Sequence, residues 1–297
     1  MARNDVPQHA WNCHMHCLEP ERVPFKATRA YTPQPATLES LMDASITDNV
    51  VIVQATIENG HDGVVAALER YLTEWPNRIA RGVVLLDESA PSPLHTLNDE
   101  DFGRLHALGV RSVRVHGAFG TAGSDPDWVI RQFYKAAQLV GVSKYGWSIS
   151  AQLPLQTWAS ITDTLLNDAQ LSSCTFLLDH NGSATPNDVE TDAFAQLGRL
   201  LSTGRAYVKV GALHRRSPED IGRMQAVVQT MAKQAPRALV WGSDWPHCNS
   251  KATGSASEPA PPLAGVDTGA ELEHLRSWLT DEQWTAMMVD NPNRLFL

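Results

Sequence analysis

A closed (β/α)8 barrel is the fold this sequence predicts, and three observations predict it. Eight short apolar, β-branched runs recur along the 297 residues at spacings of roughly 25 to 40 residues. The stretches between them carry helical periodicity. An open doubly wound sheet would want a Gly-rich phosphate loop after its first strand, and here the first run ends in His-Met-His instead.

The strand runs are 10–16, 50–56, 79–86, 110–116, 146–153, 174–180, 206–213 and 238–244. Helix candidates alternate with them. Residues 37–48 open on Thr37, a plausible N-cap, with Glu39 and Ser40 in the first turn. Residues 62–75 gather Val64, Val65, Leu68 and Leu72 on one face and stop at Pro76. Residues 99–108 align Phe102, Leu105 and Leu108 and end at Gly109, a residue suited to a helix C-terminus. Further helices are expected at 126–140, 155–170, 188–203, 218–235 and 271–289. No internal repeat or linker divides the chain, so residues 1–297 are read as one domain. The Trp residues at 128, 147, 158, 241 and 284 read as packing anchors.

Composition narrows the function. A formal charge of −9 argues against a nucleic-acid partner, which would favour a basic patch. No run approaches the roughly 18 apolar residues of a membrane span. The polar start lacks the apolar core of a signal peptide, so a cytoplasmic location is expected. Four scattered cysteines (Cys13, Cys17, Cys174, Cys248) read as free thiols without a chemical role.

In a barrel, chemistry collects at the C-terminal ends of the strands. His14 and His16 end the first strand, and their i, i+2 spacing turns both toward one face. Two such imidazoles can bind a metal, polarise a carbonyl or stabilise an oxyanion. His180 ends the sixth strand and Asp244 the eighth, so four chemical groups are expected at one mouth. Arg114 and His116 form a second i, i+2 pair on strand four, and Arg215 follows strand seven. An arginine fork there suits an anionic substrate, though a structural ion pair is the competing reading. Gln54 and Gln152, near the ends of strands two and five, are expected to hydrogen-bond a substrate. Lys209, inside strand seven, suits a structural ion pair as well as catalysis, and Arg111 a salt bridge at the far rim. His247 is expected to orient Asp244 from behind. Loops 17–36 and 249–269 follow strands one and eight, and the latter is expected to be a flexible loop or lid.

The segments WNCHMHCLEP, PFKATRAYTPQPATLESLMD, NVVIVQAT, GVRSVRVHG, LLDHNG, WGSDWPH and VDNPNRLFL resemble the amidohydrolase-2 branch of the amidohydrolase superfamily. Within it, they are most similar to the 2-pyrone-4,6-dicarboxylate lactonases and related lactone hydrolases. The resemblance runs from about Trp11 to Leu297. It implies hydrolysis of a carboxylated lactone, with Asp244 activating water and His14, His16 and His180 polarising the carbonyl. Arg114 and Arg215 would hold substrate carboxylates. There are departures: Asn12 replaces a common Asp, HGAFGTAG lacks an additional arginine, and SISAQL lacks a tyrosine. The ring itself is therefore left unnamed. The lactonases resembled are metal-independent, so no cofactor is expected; a single zinc, if bound, would use His14, His16 and Asp244. Two other readings stay open: a metal-dependent aromatic-acid decarboxylase of the same branch, and a barrel that binds a small acid without turning it over.

Overall fold

The computed structural model describes residues 6–117 and 121–297; residues 118–120, within the HGAFGTAG loop, lie outside the described residues, as do 1–5. Eight parallel strands run in the order β1 to β8: β1 Trp11–Met15, β2 Asn49–Val53, β3 Ala80–Leu85, β4 Val110–His116, β5 Ser148–Gln152, β6 Phe176–Leu178, β7 Ala206–Val210 and β8 Leu239–Trp241. Helices lie between them: α1 Leu38–Ala44, α2 Asp62–Glu74, α3 Asp99–Leu108, α4 Pro126–Gln138, α5 Val140–Ser143, α6 Leu155–Asn167, α7 Asp192–Leu201 and α8 Gln225–Gln234, followed by α9 Thr268–Trp278, α10 Asp281–Thr285 and α11 Asn291–Phe296. This is the expected (β/α)8 barrel. Most strand residues are buried, as a sheet covered on both faces requires.

Local chemistry sets most element ends. Thr37 caps α1 by accepting from Ser40 N at 3.2 Å. Gly109 ends α3 at φ +108°, in the left-handed region that glycine enters freely. The expected 188–203 helix begins only at Asp192, because Thr191 supplies a cap there. The expected 271–289 helix is divided, because Thr280 and Gln283 form a capping box that starts α10. Leu72 is a correction: it is 46% exposed, and α2 buries Val64, Ala67, Leu68 and Tyr71 instead. The face is rotated so that Tyr71 takes the place expected of Leu72.

The closure between β8 and β1 is where the fold builds its site. His16 N donates to Trp245 O at 2.9 Å, and Asp244 N donates to His14 O at 2.9 Å. Strand β1 spends three residue steps, Asn12 to Met15, against two on β2, Val50 to Ile52, so it bulges at the first histidine. Gly242 lies directly beneath: a Cβ there would stand 2.7 Å from His14 Cβ. The Asn12 side chain clips the seam, accepting from Ser243 N at 3.0 Å and His14 N at 3.3 Å and donating to Ser243 Oγ at 2.8 Å. Asn12→Ala should leave the buried Ser243 amide without its acceptor and cost about 1–3 kcal/mol, read from urea unfolding. An unchanged midpoint would show that the seam does not depend on Asn12.

Candidate active site

His14, His16, His180 and Asp244 meet as expected. Their ring atoms His14 Nε2, His16 Nε2 and His180 Nε2 stand 3.6, 3.5 and 3.7 Å from one oxygen, Asp244 Oδ1. These separations are too long for direct hydrogen bonds, so they leave a small space that one atom could bridge. His180 does not end a strand: it begins a 3-10 turn after β6 with φ +50°. Asp244 stands three residues past β8 with φ +66°. Left-handed backbone at two non-glycine site residues is stored strain, held by surrounding bonds. Around His180 those bonds include Asn181 Nδ2 to Gly211 O at 2.8 Å.

The other oxygen of Asp244 pairs with Arg215 Nε. Arg215 is carried on a turn whose start is pinned by buried Glu271, which accepts from Leu213 N at 2.8 Å and Ala212 N at 3.2 Å. Burial alone would raise the Asp244 carboxyl, but the Arg215 guanidinium, the strongest of the opposing influences, holds it well below the usual range. Asp244 is therefore ionised at neutral pH.

The sequence reading passed over Asp179, and the structure makes it the hub of the barrel interior. Fully buried, it pairs with Lys209 Nζ at 2.9 Å and Arg114 Nε at 2.8 Å, with Ser150 Oγ at 3.4 Å. Lys209 thus takes the structural ion pair that was one of its two expected roles. Arg114 is committed to Asp179 through Nε and to Gln152 Oε1 through a terminal nitrogen at 3.1 Å, yet it still lines the cavity. Asp179 immediately precedes His180, and the left-handed backbone of His180 lets both side chains stand against His14 inside the barrel. The available signal was that two cationic side chains inside apolar strands, Arg114 on β4 and Lys209 on β7, needed a counter-ion.

These groups surround a cavity of about 230 Å3, below the ≈ 300–1,000 Å3 common for drug-sized ligands, so its ligand is small. His16, His180 and Asp244 line it together with Arg114, His116, Gln152 and Arg215. Tyr31, Ala55, Thr56, Cys248 and Ser250 complete the wall. Gln54 is not among them: its amide donates to Gly60 O at 2.7 Å and accepts from Leu85 N at 2.7 Å, so both ends are spent on backbone. His247 meets Asp244 through the backbone, its N donating to Asp244 O at 2.8 Å, while its ring contacts Thr268 Oγ1 and the His214 ring. Arg111 donates to the His106 and Val110 carbonyls and forms no salt bridge among the described residues. The two long loops meet beside the mouth, with Thr32 N donating to Thr253 O at 2.8 Å and Ala260 N to Thr32 O at 2.7 Å.

One ligand atom from each of His14, His16 and Asp244 lies within 4.8 Å of the others, an arrangement that could hold a metal ion. His14 Nε2 is buried and has no hydrogen-bond partner among the described residues. Position therefore fits a divalent cation, which would act as a Lewis acid on a substrate carbonyl.

The chain belongs to the amidohydrolase family, whose model matches residues 11–297. It is 26% identical over 299 residues to the 4-sulfomuconolactone hydrolase of Hydrogenophaga intermedia, covering 98% of this chain and 89% of that protein. It is 25% identical over 314 residues to the 2-pyrone-4,6-dicarboxylate hydrolase of Comamonas testosteroni, covering 98% and 91%. A zinc-bound amidohydrolase from Burkholderia multivorans shares the fold, with a TM-score of 0.60 and 18% identity over 97% of this chain and 98% of that one. No helix among the described residues is long and apolar enough to cross a membrane.

Burial pushes the His14 imidazole down to about 3, with Lys209 adding to it, and holds His180 well below its ordinary value. Both rings are neutral in the folded protein at pH 7. Unfolded, His14 would take up a proton near pH 6.5, so its stabilising contribution is complete above that and lost as pH falls toward 3, and His180 acts in the same direction. His14 alone should cost about 1.4 kcal/mol per pH unit within that window. Urea midpoints measured at pH 7.5 and 5.0 should fall accordingly. A flat midpoint would mean the rings are protonated in the fold.

Proposed function

We propose that this barrel hydrolyses a small lactone bearing at least one carboxylate. The observation that carries the reading is the convergence of three imidazoles on Asp244 Oδ1 in a cavity with excess positive charge. Three cations, Arg114, Arg215 and Lys209, face two carboxylates, Asp179 and Asp244, while His14 and His180 are neutral. One anionic substrate group balances that charge, in a chain whose formal charge is −9. The two lactone hydrolases it resembles support the same class of substrate.

The chemistry follows from which atoms can donate. His16 Nδ1 lies 2.7 Å from Val53 O, and a carbonyl only accepts, so Nδ1 carries a proton and Nε2 is the position left to accept. A water in the space at Asp244 Oδ1 would donate one hydrogen bond to that oxygen and the other to His16 Nε2. Its oxygen attacks the lactone carbonyl while Asp244 takes the first proton as general base. His14 and His180 face the developing oxyanion. Collapse breaks the ring C–O bond, and the proton held by Asp244 passes to the leaving oxygen, giving a ring-opened hydroxy acid whose new carboxyl then releases its proton to solvent. Arg114, Arg215, His116 and Gln152 hold the substrate carboxylate. When it engages Arg215, Asp244 loses part of its ion pair and becomes a stronger base.

The second reading is a metal-dependent hydrolase or aromatic-acid decarboxylase, favoured by the close grouping of His14, His16 and Asp244. A dication there would add two charges to an already cationic site, the physical reason to rank it second.

Both readings meet one test, proton release from a panel of carboxylated lactones by chelator-treated protein. The metal-free reading expects turnover that survives chelation and falls at least about 1,000-fold in Asp244→Asn, the scale of losing a general base. Turnover only after zinc is restored would establish the second reading. Wild-type activity in Asp244→Asn would remove that residue from catalysis.

A further inference from the structure

The β1 motif leaves open what His14 offers the cavity, because a neutral imidazole presents either an N–H donor or a lone pair at Nε2. The choice is set at the other nitrogen. His14 Nδ1 faces two groups: Lys209 Nζ at 3.2 Å and Asp179 Oδ1 at 3.6 Å. The carboxylate lies beyond hydrogen-bond distance, and that oxygen already accepts from Lys209 at 2.9 Å. The ammonium is within reach and has only protons to give. His14 Nδ1 must then accept, and the ring proton sits on Nε2. The rest of the ring's surroundings agree. Nε2 points toward Asp244 Oδ1 at 3.6 Å, an acceptor, and the His16 and His180 rings lie 5.0 and 4.7 Å away.

We infer that Lys209 is a positioning residue that holds His14 as its Nε2–H tautomer, making this imidazole a hydrogen-bond donor into the cavity and withholding it from a metal ion. His14 and His16 then present opposite faces to one space. His14 donates and His16 accepts, so their i, i+2 pair does not offer two lone pairs to a cation. The geometric fit of His14, His16 and Asp244 to a metal is opposed by where the protons lie. The buried, unpartnered Nε2 is a donor waiting for an oxygen, which a substrate carbonyl or its oxyanion would supply.

Nitrogen-15 NMR of histidine-labelled protein tests this directly, with His14→Asn identifying the His14 resonances. Wild-type protein should show a protonated Nε2 and an unprotonated Nδ1 at His14; the reverse pattern overturns the inference. In Lys209→Met the proton should move to Nδ1, and zinc sulfate titrated calorimetrically should bind at least ten-fold more tightly than to wild type. Lys209→Gln, whose amide can still donate to Nδ1, should keep the wild-type pattern and weak zinc binding. A folded Lys209→Met with an unchanged His14 tautomer, or with wild-type zinc affinity, would also overturn it. Should Lys209→Met fail to fold, the wild-type spectrum decides alone. None of these readouts uses turnover, so failure of every lactone tried would leave the result standing.

Discussion

The buried carboxylate of Asp179 is the constraint on which this barrel's interior depends. An ionised group with no solvent exposure survives only if its surroundings compensate for lost hydration. Lys209 from the adjacent strand β7 and Arg114 from β4, two strands away on the other side of β6, supply that compensation, and Ser150 from β5 between them adds a hydroxyl. Burial pulls the carboxyl up and the two cations pull it further down. Without Asp179, two cations would be buried unpaired beneath the histidines. The charge that remains over, carried by Arg215 against Asp244 and the unspent capacity of Arg114, is displayed only at the cavity. The ion-pair layer thus does two things at once: it lets cations exist inside a barrel and points their excess toward the mouth.

Above that layer, geometry comes from the seam. An ordinary β1–β8 pairing would set His14 and His16 by strand alternation alone. The extra residue in β1 and the main-chain bonds to Asp244 and Trp245 tie the histidine pair to the aspartate in fixed register. Gly242 permits this because the first histidine's backbone passes where any larger residue would place its Cβ. Strained backbone at His180 and Asp244 is held within the same framework. Rigidity of this kind suits a site whose work is to align a water with a carbonyl.

The barrel was legible because its signal repeats: eight apolar runs and their helices average out errors at any one element. His14, His16, His180 and Asp244 were legible because each sits at or just past a strand end, where a barrel concentrates chemistry. What was not legible depended on pairings between distant strands. Asp179 looked like the discarded neighbour of His180, since nothing local says that residues 114 and 209 converge on it. Gln54 looked like a substrate contact because its position is right, but the amide is consumed by Gly60 and Leu85 across a turn and a strand. Lys209 could be placed in a structural ion pair, yet its approach to His14 spans 195 positions in sequence. Leu72 shows the same limit at a helix surface, where a rotation of one residue decides which side chain is buried.

The histidine pair illustrates why a motif and a chemistry are different things. Two histidines in an H-x-H at the end of a first strand specify positions, and those positions suit a metal ion, a bound water or an oxyanion equally well. What separates these outcomes is the placement of protons and the surrounding charge. Val53 O places one proton on His16 Nδ1, and Lys209 places the other on His14 Nε2, so the two rings become an acceptor and a donor. Three cations against two carboxylates make the same cavity hospitable to an anion. A barrel with this histidine pair but an acidic or apolar residue in place of Lys209 would offer a lone pair at His14 and lower the local charge. Residue 209 lies outside the motif and behind the cavity wall, and the tautomer of the motif's first histidine follows from it.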